Sequence, residues 1–467
     1  WVLDYNRLFF STDTFYLRSP EEMNEIFSEY PQALESTAEI VAKCNVEIPE
    51  LEQTKKGIYL LPSFPDVPDG MTEEEYLRSL CQEGWKKYVQ PRIDAGVIPE
   101  QEYKDRLEYE LSTISSMGWP GYFLIVQDIL RWCRKNGIPV GPGRGSSAGS
   151  LVSYLIEITE IDPLYMPVGE FLGKQEPMGL LFERFLNPSR ISMPDIDIDI
   201  SKRYRNDVIE YVTNKYGAER VSSILTINTF GCKAALKKAG SALMVDFKKM
   251  NDLTASISDG VSIEEANIDI IDSEIEMVVD IAKKIEGMPQ HTGVHAAGVV
   301  ISDKPLWNYV ATKVSDGVVV AQDTMEHIEE LGLLKMDLLG LRTLDVIGDT
   351  VNAIEQKTNS KFNIRDIPLN DPDTYNLYCS GDVFGVFQVE SNLNKTYLRK
   401  SMPSTFAHII EQLAIVRPGP LDAPAENGDG NMADEFFRRK HGQAKVTYLH
   451  ESLEPILKDT HGIIVYQ

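Results

Sequence analysis

The chain has 467 residues, enough for about two to four domains and a large core. Its 46 Lys and Arg stand against 71 Asp and Glu, a formal net charge of −25. That excludes bulk electrostatic attraction as a basis for nucleic-acid binding, although a basic groove can sit inside an acidic total. Five scattered cysteines without a CxxC pair argue against a zinc site or disulfide framework and fit a reducing, cytoplasmic setting. There is no apolar run of membrane length, and Asp4 and Arg7 near the start speak against a secretion signal. The chain starts at Trp1 and ends just after an apolar, strand-like run, Ile463 to Tyr466, so both ends read as cut from something longer.

Ser19 as cap, Pro20 at the first position and Glu22 closing a capping box predict a helix with Met23, Ile26, Phe27 and Tyr30 on one face. Pro31 stops it, and a second helix runs to Lys43. Pro62 to Gly70 is a proline-rich connector. Thr72 and Glu75 then form another capping box, with Leu77, Leu80, Cys81 and Tyr88 as the buried stripe. A further helix carries Tyr103, Leu107, Leu111 and Ile114 up to Gly118. These stripes are packing surfaces.

A helix near Tyr122 to Lys135 ends at Asn136-Gly137 and gives way to Gly141-Pro142-Gly143-Arg144-Gly145-Ser146-Ser147-Ala148-Gly149-Ser150, followed by a helical Leu151 to Ile156. A glycine-rich loop opening a helix offers free backbone N–H groups and the positive end of the helix dipole, which suits phosphate. It matches neither the dinucleotide fingerprint nor the Walker loop, so a tight structural turn is an equal reading. Nearby, Leu180 to Arg190 delivers Arg184 and Arg190. Arg184 sits on an apolar helix end, where a charge facing the core needs an anionic partner, either a structural carboxylate or a triphosphate.

Asp195-Ile196-Asp197-Ile198-Asp199-Ile200 alternates strictly, so a strand here turns its isoleucines to the core and its carboxylates to one common side. Asp is disfavoured in strands, and carboxylates two residues apart lie only about 7 Å from one another. A solvated edge strand could carry them, but a divalent cation such as Mg²⁺ answers the repulsion better. A calcium loop fails, because Ile200 stands where glycine is needed and Asn206 where glutamate is. Tyr204, Val208, Tyr211, Val212 and Tyr216 predict a bracing helix that Gly217 ends.

Lys233, Lys237 and Lys238 recur at helical spacing and read either as a solvated face or as contacts to a phosphate backbone. His291 and His295 are interrupted by Gly293 and do not resemble a helical zinc motif, so they read as structural or hydrogen-bonding groups. In Leu334-Lys335-Met336-Asp337-Leu338 a strand places Lys335 and Asp337 on one side, as a surface ion pair or as a third metal ligand with its cation. After Thr343 the pattern is helical and loop-rich, with basic clusters at Arg417-Pro418-Gly419-Pro420 and around Arg438 and Arg439. The acidic Glu426 to Asp429 reads as a mobile loop.

Taken in order, the glycine-serine loop, the two arginines, the Asp-x-Asp strand and the later Lys-x-Asp strand resemble the catalytic core of the alpha subunit of bacterial DNA polymerase III, the C-family replicative polymerases. His291 to Ile301, Phe387-Gln388-Val389-Glu390-Ser391 and Arg417 to Pro420 add to the resemblance. It implies an α+β fold: a polymerase-β-like nucleotidyltransferase palm with a helical N-terminal part (1–226 and 289–342), a helical thumb (227–288) and mostly helical, truncated fingers (343–467). It also implies Asp195, Asp197 and Asp337 as catalytic ligands of two Mg²⁺ ions, with Asp199 not essential. The nucleotide site it implies is Gly145, Ser146, Ser147, Arg184, Arg190 and Lys335, with Arg417, Arg438 and Arg439 from the fingers. Lys233, Lys237 and Lys238 would meet the duplex. The implied partners are primer-template DNA, deoxynucleoside triphosphates and other replisome subunits, with no membrane. A metal-dependent nuclease and a non-catalytic DNA-binding or assembly module are the rival readings. The family's amino-terminal phosphoesterase-like domain is missing here, and Pro167 to Gly179 is an unfamiliar insert.

Overall fold

A computed structural model describes residues 12–45, 59–165, 179–189, 193–258, 260–315, 317–425 and 428–466. The Pro167–Gly179 insert therefore lies almost wholly outside the described residues. The chain folds into two compact units. One comprises Trp1–Ile58, Ser223–His295 and Val310–Gly332; the other comprises Tyr59–Ser222, Ala296–Tyr309 and Leu333–Gln467. Among the described residues six strands, β1 (Ile198–Ser201), β2 (Val221–Thr229), β3 (Pro289–Ile301), β4 (Thr312–Ser315), β5 (Val318–Ala321) and β6 (Leu334–Leu341), stand among many helices, the α+β class that the resemblance implies.

In the larger unit β1 runs parallel to β6, with Ile198 opposite Leu338, and β3 runs antiparallel to β6, with Gly298 opposite Asp337. The capping box of Thr72 and Glu75 starts helix Glu73–Gly84 as expected, and helices Glu100–Ser116 and Pro120–Lys135 follow. Their apolar stripes join Ile196, Ile198, Ile200, Met336 and Leu338 in one core. The bracing helix Arg205–Tyr216 buries Val208 and Val212 completely and ends at Gly217. Arg205 fastens it to two strands, donating to the carbonyls of Leu338 (2.7 Å) and Ala297 (3.1 Å).

β6 passes directly into helix Arg342–Thr358, with Leu341 as its cap. Asp345 on that helix accepts from the Ser201 hydroxyl and the Arg203 N–H, and Asp349, one turn on, takes the Arg203 guanidinium in two bonds of 2.9 and 2.8 Å. The remainder is short helices around a small core of Tyr397, Ile415, Phe436, Phe437 and Ile463. The run Ile463–Tyr466 forms no strand, contrary to the reading of its apolar pattern; Ile463 packs into that core from a loop.

In the other unit β2 pairs parallel with β5, and β5 pairs antiparallel with β4. Helices Cys232–Ala242, Phe247–Ala255 and Ser273–Ile285 build their own core from Leu236, Ala239, Met250, Ile275 and Val278. The capping box of Ser19 and Glu22 forms on helix Pro20–Ile26, and Pro31 opens the next helix, Pro31–Lys43. Neither helix fully buries a side chain; on the apolar face predicted from Met23 to Tyr30, Met23 and Phe27 are half-buried and Ile26 and Tyr30 exposed. No described helix is long and apolar enough to cross a membrane.

Candidate metal centre

β1 begins only at Ile198, so Asp195 and Asp197 lie on the extended segment leading into it rather than inside the strand. The alternation nonetheless holds. Ile196, Ile198 and Ile200 are at most 2% exposed, while Asp195 is exposed and Asp197 and Asp199 are half-buried. Where no ladder partner exists, the Ile196 N–H donates to the buried Tyr122 hydroxyl at 3.0 Å. Burial keeps that phenol protonated, and the nearby aspartates push its pKa further upward.

From the neighbouring strand, Lys335 and Asp337 face one side while Leu334, Met336 and Leu338 are buried on the other. Carboxylate oxygens of Asp195, Asp197 and Asp337 thus lie within 4.8 Å of one another, and among the described residues they are the one group of three or more such side chains that does so. Burial raises the Asp197 carboxyl above the usual range, and the charges of Asp195 and Asp337 raise it further against the opposing pull of Arg144. One oxygen of Asp337 is 3.0 Å from Lys335 Nζ; the other, Oδ1, is buried without a hydrogen-bond partner. Leaving such a group unsatisfied costs about 1–3 kcal/mol. An all-oxygen donor set with crowded negative charge and an orphaned oxygen fits a hard divalent cation.

The glycine-rich loop is stitched to β1. Ser201 N–H donates to Pro139 O and Gly141 N–H to Asp199 O, both at 2.9 Å, around an antiparallel bridge between Val140 and Ile200. A Cβ at Gly141 would lie 2.7 Å from Asp199 Cβ, so only glycine fits there. At Gly145, φ is +65° and a Cβ would come 3.6 Å from Asp197 Oδ2, which sets the turn Gly145–Gly149 beside the triad. Arg144 donates to Asp199 Oδ1 at 3.2 Å and lies 3.9 Å from Asp197 Oδ2. Gly145 and Ser146 are exposed there, whereas Ser147 is buried and gives its hydroxyl to Arg144 O at 2.8 Å.

The helix after the loop, Leu151–Leu155, is barely more than one turn, and its amino end is not open to phosphate as the loop-to-helix pattern suggested. The N–H groups of Leu151 and Val152 donate to the buried carboxylate of Glu110 at 2.9 and 3.0 Å. The anion at that helix end is therefore the protein's own.

The family model described as "Bacterial DNA polymerase III alpha NTPase domain" matches residues 75–340, and that of the "Bacterial DNA polymerase III alpha subunit finger domain" matches residues 343–467. The chain belongs to the bacterial DNA polymerase III alpha family. It is 41% identical to the alpha subunit of Bacillus subtilis over 462 residues, covering 97% of this chain and 38% of that protein. With that of Aquifex aeolicus it shares 40% over 476 residues, 94% of this chain and 39% of the other. The Escherichia coli O157:H7 subunit is 37% identical over 476 residues, again 97% against 39%. The chain thus spans about two-fifths of the length of these relatives.

The other residues singled out from the sequence are spread more widely. Arg184 lies on the turn Phe182–Arg184 and is exposed, while Phe182 and Phe185 beside it are buried; it does not face the core as its apolar neighbours suggested. Arg190 lies outside the described residues. Arg417 is exposed and donates to Leu413 O at 3.0 Å. Arg438 grips Asp429 and Glu435, with shortest contacts of 2.7 and 2.9 Å. Arg439 is 3% exposed, its guanidinium committed to Glu435 and to the carbonyls of Thr447 and His461. In the other unit Lys237 and Lys238 are exposed and Lys233 half-buried on helix Cys232–Ala242, opposite buried Ala235 and Ala239. His291 is exposed and His295 half-buried on β3.

Three residues around the centre escaped the sequence-based choice of site residues: Tyr122, Arg106 and Glu110. Arg106 and Glu110 did leave a trace, an oppositely charged pair four residues apart along the edge of the apolar stripe of Tyr103, Leu107 and Leu111.

Proposed function

We propose that this chain supplies the nucleotidyl-transfer centre of a template-directed DNA polymerase, joining a deoxynucleoside triphosphate to a primer 3′-hydroxyl during DNA replication, with pyrophosphate leaving. The observation that carries the reading is the convergence of Asp195 and Asp197 with Asp337, more than a hundred positions further along the sequence, within 4.8 Å. In this reading the three aspartates would hold two Mg²⁺ ions, which when bound lower the pKa of the attacking hydroxyl and offset charge on the triphosphate. The chain's own residues do the rest. Gly145 and Ser146 receive the triphosphate on the exposed face of their turn. Arg144 and Lys335, with Arg184 and Arg190, supply positive charge where negative charge builds during transfer. Tyr122 keeps the backbone between the two catalytic aspartates in place.

The domain assignment follows the same reading: a palm of polymerase-β type carries the centre, 227–288 is a thumb that presents Lys233, Lys237 and Lys238 to the duplex, and 343–467 are fingers. Arg417 and Arg438 are the fingers residues nearest to a nucleotide role, and the full-length protein works with other replisome subunits. Selectivity among bases comes from template pairing, so no base-reading motif is required. The test is primer extension with Mg²⁺ and nucleotides, comparing wild type with Asp197→Asn. Primers that lengthen only with wild type, while both proteins bind DNA, support the reading. Primers that shorten indicate a nuclease, and equal extension by both proteins removes Asp197 from the chemistry.

A further inference from the structure

Glu110 is fully buried, and each of its oxygens accepts two bonds. Oε1 takes Arg106 Nε at 2.6 Å and Leu151 N–H at 2.9 Å; Oε2 takes the Ser150 hydroxyl at 2.8 Å and Val152 N–H at 3.0 Å. A carboxylate so far from water persists as an anion only when it is bonded this completely. Arg106 reaches onward, donating through Nη2 to Gly149 O at 2.6 Å and Leu180 O at 3.0 Å. One ion pair therefore ties together helix Glu100–Ser116, the end of the Gly145–Gly149 turn, the helix after it, and the segment that leads into Phe182–Arg184.

We infer that Glu110 and Arg106 are positioning residues for the incoming triphosphate, an internal anion and its counter-ion that set the glycine-rich turn against the aspartate triad. The inference rests on the polymerase reading above. Glu110 saturates the helix end that a phosphate would otherwise occupy, which leaves the exposed turn at Gly145 and Ser146 as the place where backbone meets the nucleotide. Arg106 fixes both ends of that arrangement, since Gly149 closes the turn and Leu180 precedes the loop bearing Arg184. Neither side chain touches the substrate, so their effect falls on how well the turn is held for nucleotide binding.

The experiment is steady-state primer extension by the full-length protein at varied nucleotide concentration, for wild type, Glu110→Gln, Glu110→Ala and Arg106→Lys, with melting curves and primer-template affinity measured alongside. A glutamine offers one acceptor oxygen where four donors converge, and a lysine cannot span the carboxylate and two carbonyls. The expected result is a KM for the nucleotide raised about tenfold in Glu110→Gln and Arg106→Lys, kcat within about threefold of wild type, and unchanged primer-template affinity. Formate, small enough to re-enter the helix end, restores part of the nucleotide affinity of Glu110→Ala. A Glu110→Gln protein that melts earlier yet keeps the wild-type KM overturns the inference by showing a purely structural role. If that variant does not fold, an unchanged KM in Arg106→Lys overturns it equally. Wild type that fails to extend primers, or Asp197→Asn that extends them normally, sinks the polymerase reading itself; wild type that extends while the Glu110 and Arg106 variants keep their KM sinks only the positioning role.

Discussion

Arg144 and Asp199 hold each other across the seam between the glycine-rich loop and β1, Nη1 to Oδ1 at 3.2 Å, and this keeps the guanidinium 3.9 Å from Asp197. Asp199 is the fourth acidic group of the site and stands outside the triad, yet it is not idle: its side chain holds the loop's cation and its carbonyl accepts from Gly141. Asp199→Asn keeps the shape and removes the charge. We expect it to lower extension efficiency about tenfold, against a loss on the order of a thousandfold for Asp197→Asn. Parallel kcat/KM measurements check the ranking, and an equal loss in both variants would place Asp199 among the metal ligands.

The cation proposed for the crowded triad makes a testable demand on stability. Saturating Mg²⁺ at about a hundred times its Kd adds about 2.7 kcal/mol to a state that binds it. Thermal melts should therefore show a clear rise with Mg²⁺ in wild type. Asp197→Asn should melt above wild type without metal, because a repelled carboxylate is gone, and should respond little to Mg²⁺. Identical Mg²⁺ responses in the two proteins would contradict the assigned ligands.

Gly141 tests the close approach of loop and strand. Gly141→Ala places a methyl group 2.7 Å from Asp199 Cβ, an overlap relieved only by shifting backbone, at about 1–3 kcal/mol. Urea titration should show that loss together with reduced extension. Wild-type stability would mean that the seam is looser than the 2.9 Å bond from Gly141 N–H to Asp199 O implies.

Arg439 and Glu435 give the region beyond residue 343 a predictable acid sensitivity. Burial raises the Glu435 carboxyl, but bonds from Arg439 and Arg438 outweigh it, so its folded pKa lies below the ordinary glutamate value of 4.5. The folded state then binds fewer protons than the unfolded one, and the stability contributed by Glu435 is full above about pH 4.5 and lost as pH falls through the folded value. Glu435→Gln should cost about 3 kcal/mol at neutral pH by stranding a buried arginine and should flatten the acid limb of a stability-versus-pH curve. An unchanged acid limb would refute the assignment.

How far the sequence revealed this molecule depended on whether a feature was local. The capping boxes at Ser19 and Thr72 and the isoleucine and aspartate faces follow from rules acting over a few residues, and all are present. The Asp triad needed Asp337 to meet two residues far upstream, which the strand pattern offered as one of two readings and the family resemblance selected. What stayed hidden were pairings that no spacing encodes: Arg144 with Asp199 and Tyr122 with the Ile196 amide. The free helix end expected after the glycine loop failed for the same reason, because the carboxylate that closes it comes from Glu110, about 40 residues earlier. Arg184 misled through its neighbours, since apolar residues on both sides do not prevent a short turn from aiming one side chain at water.

Asp337 stands five residues before Arg342, and no loop separates them: the strand becomes the long helix at Leu341, and Asp345 and Asp349 clasp the far end of β1. The ligand proposed at Asp337 and the helix are consequently one stiff lever. A tilt of that helix cannot be absorbed by slack in a linker and must appear as displaced carboxylate oxygens, so whatever rocks the region beyond residue 342 also adjusts the geometry available for chemistry.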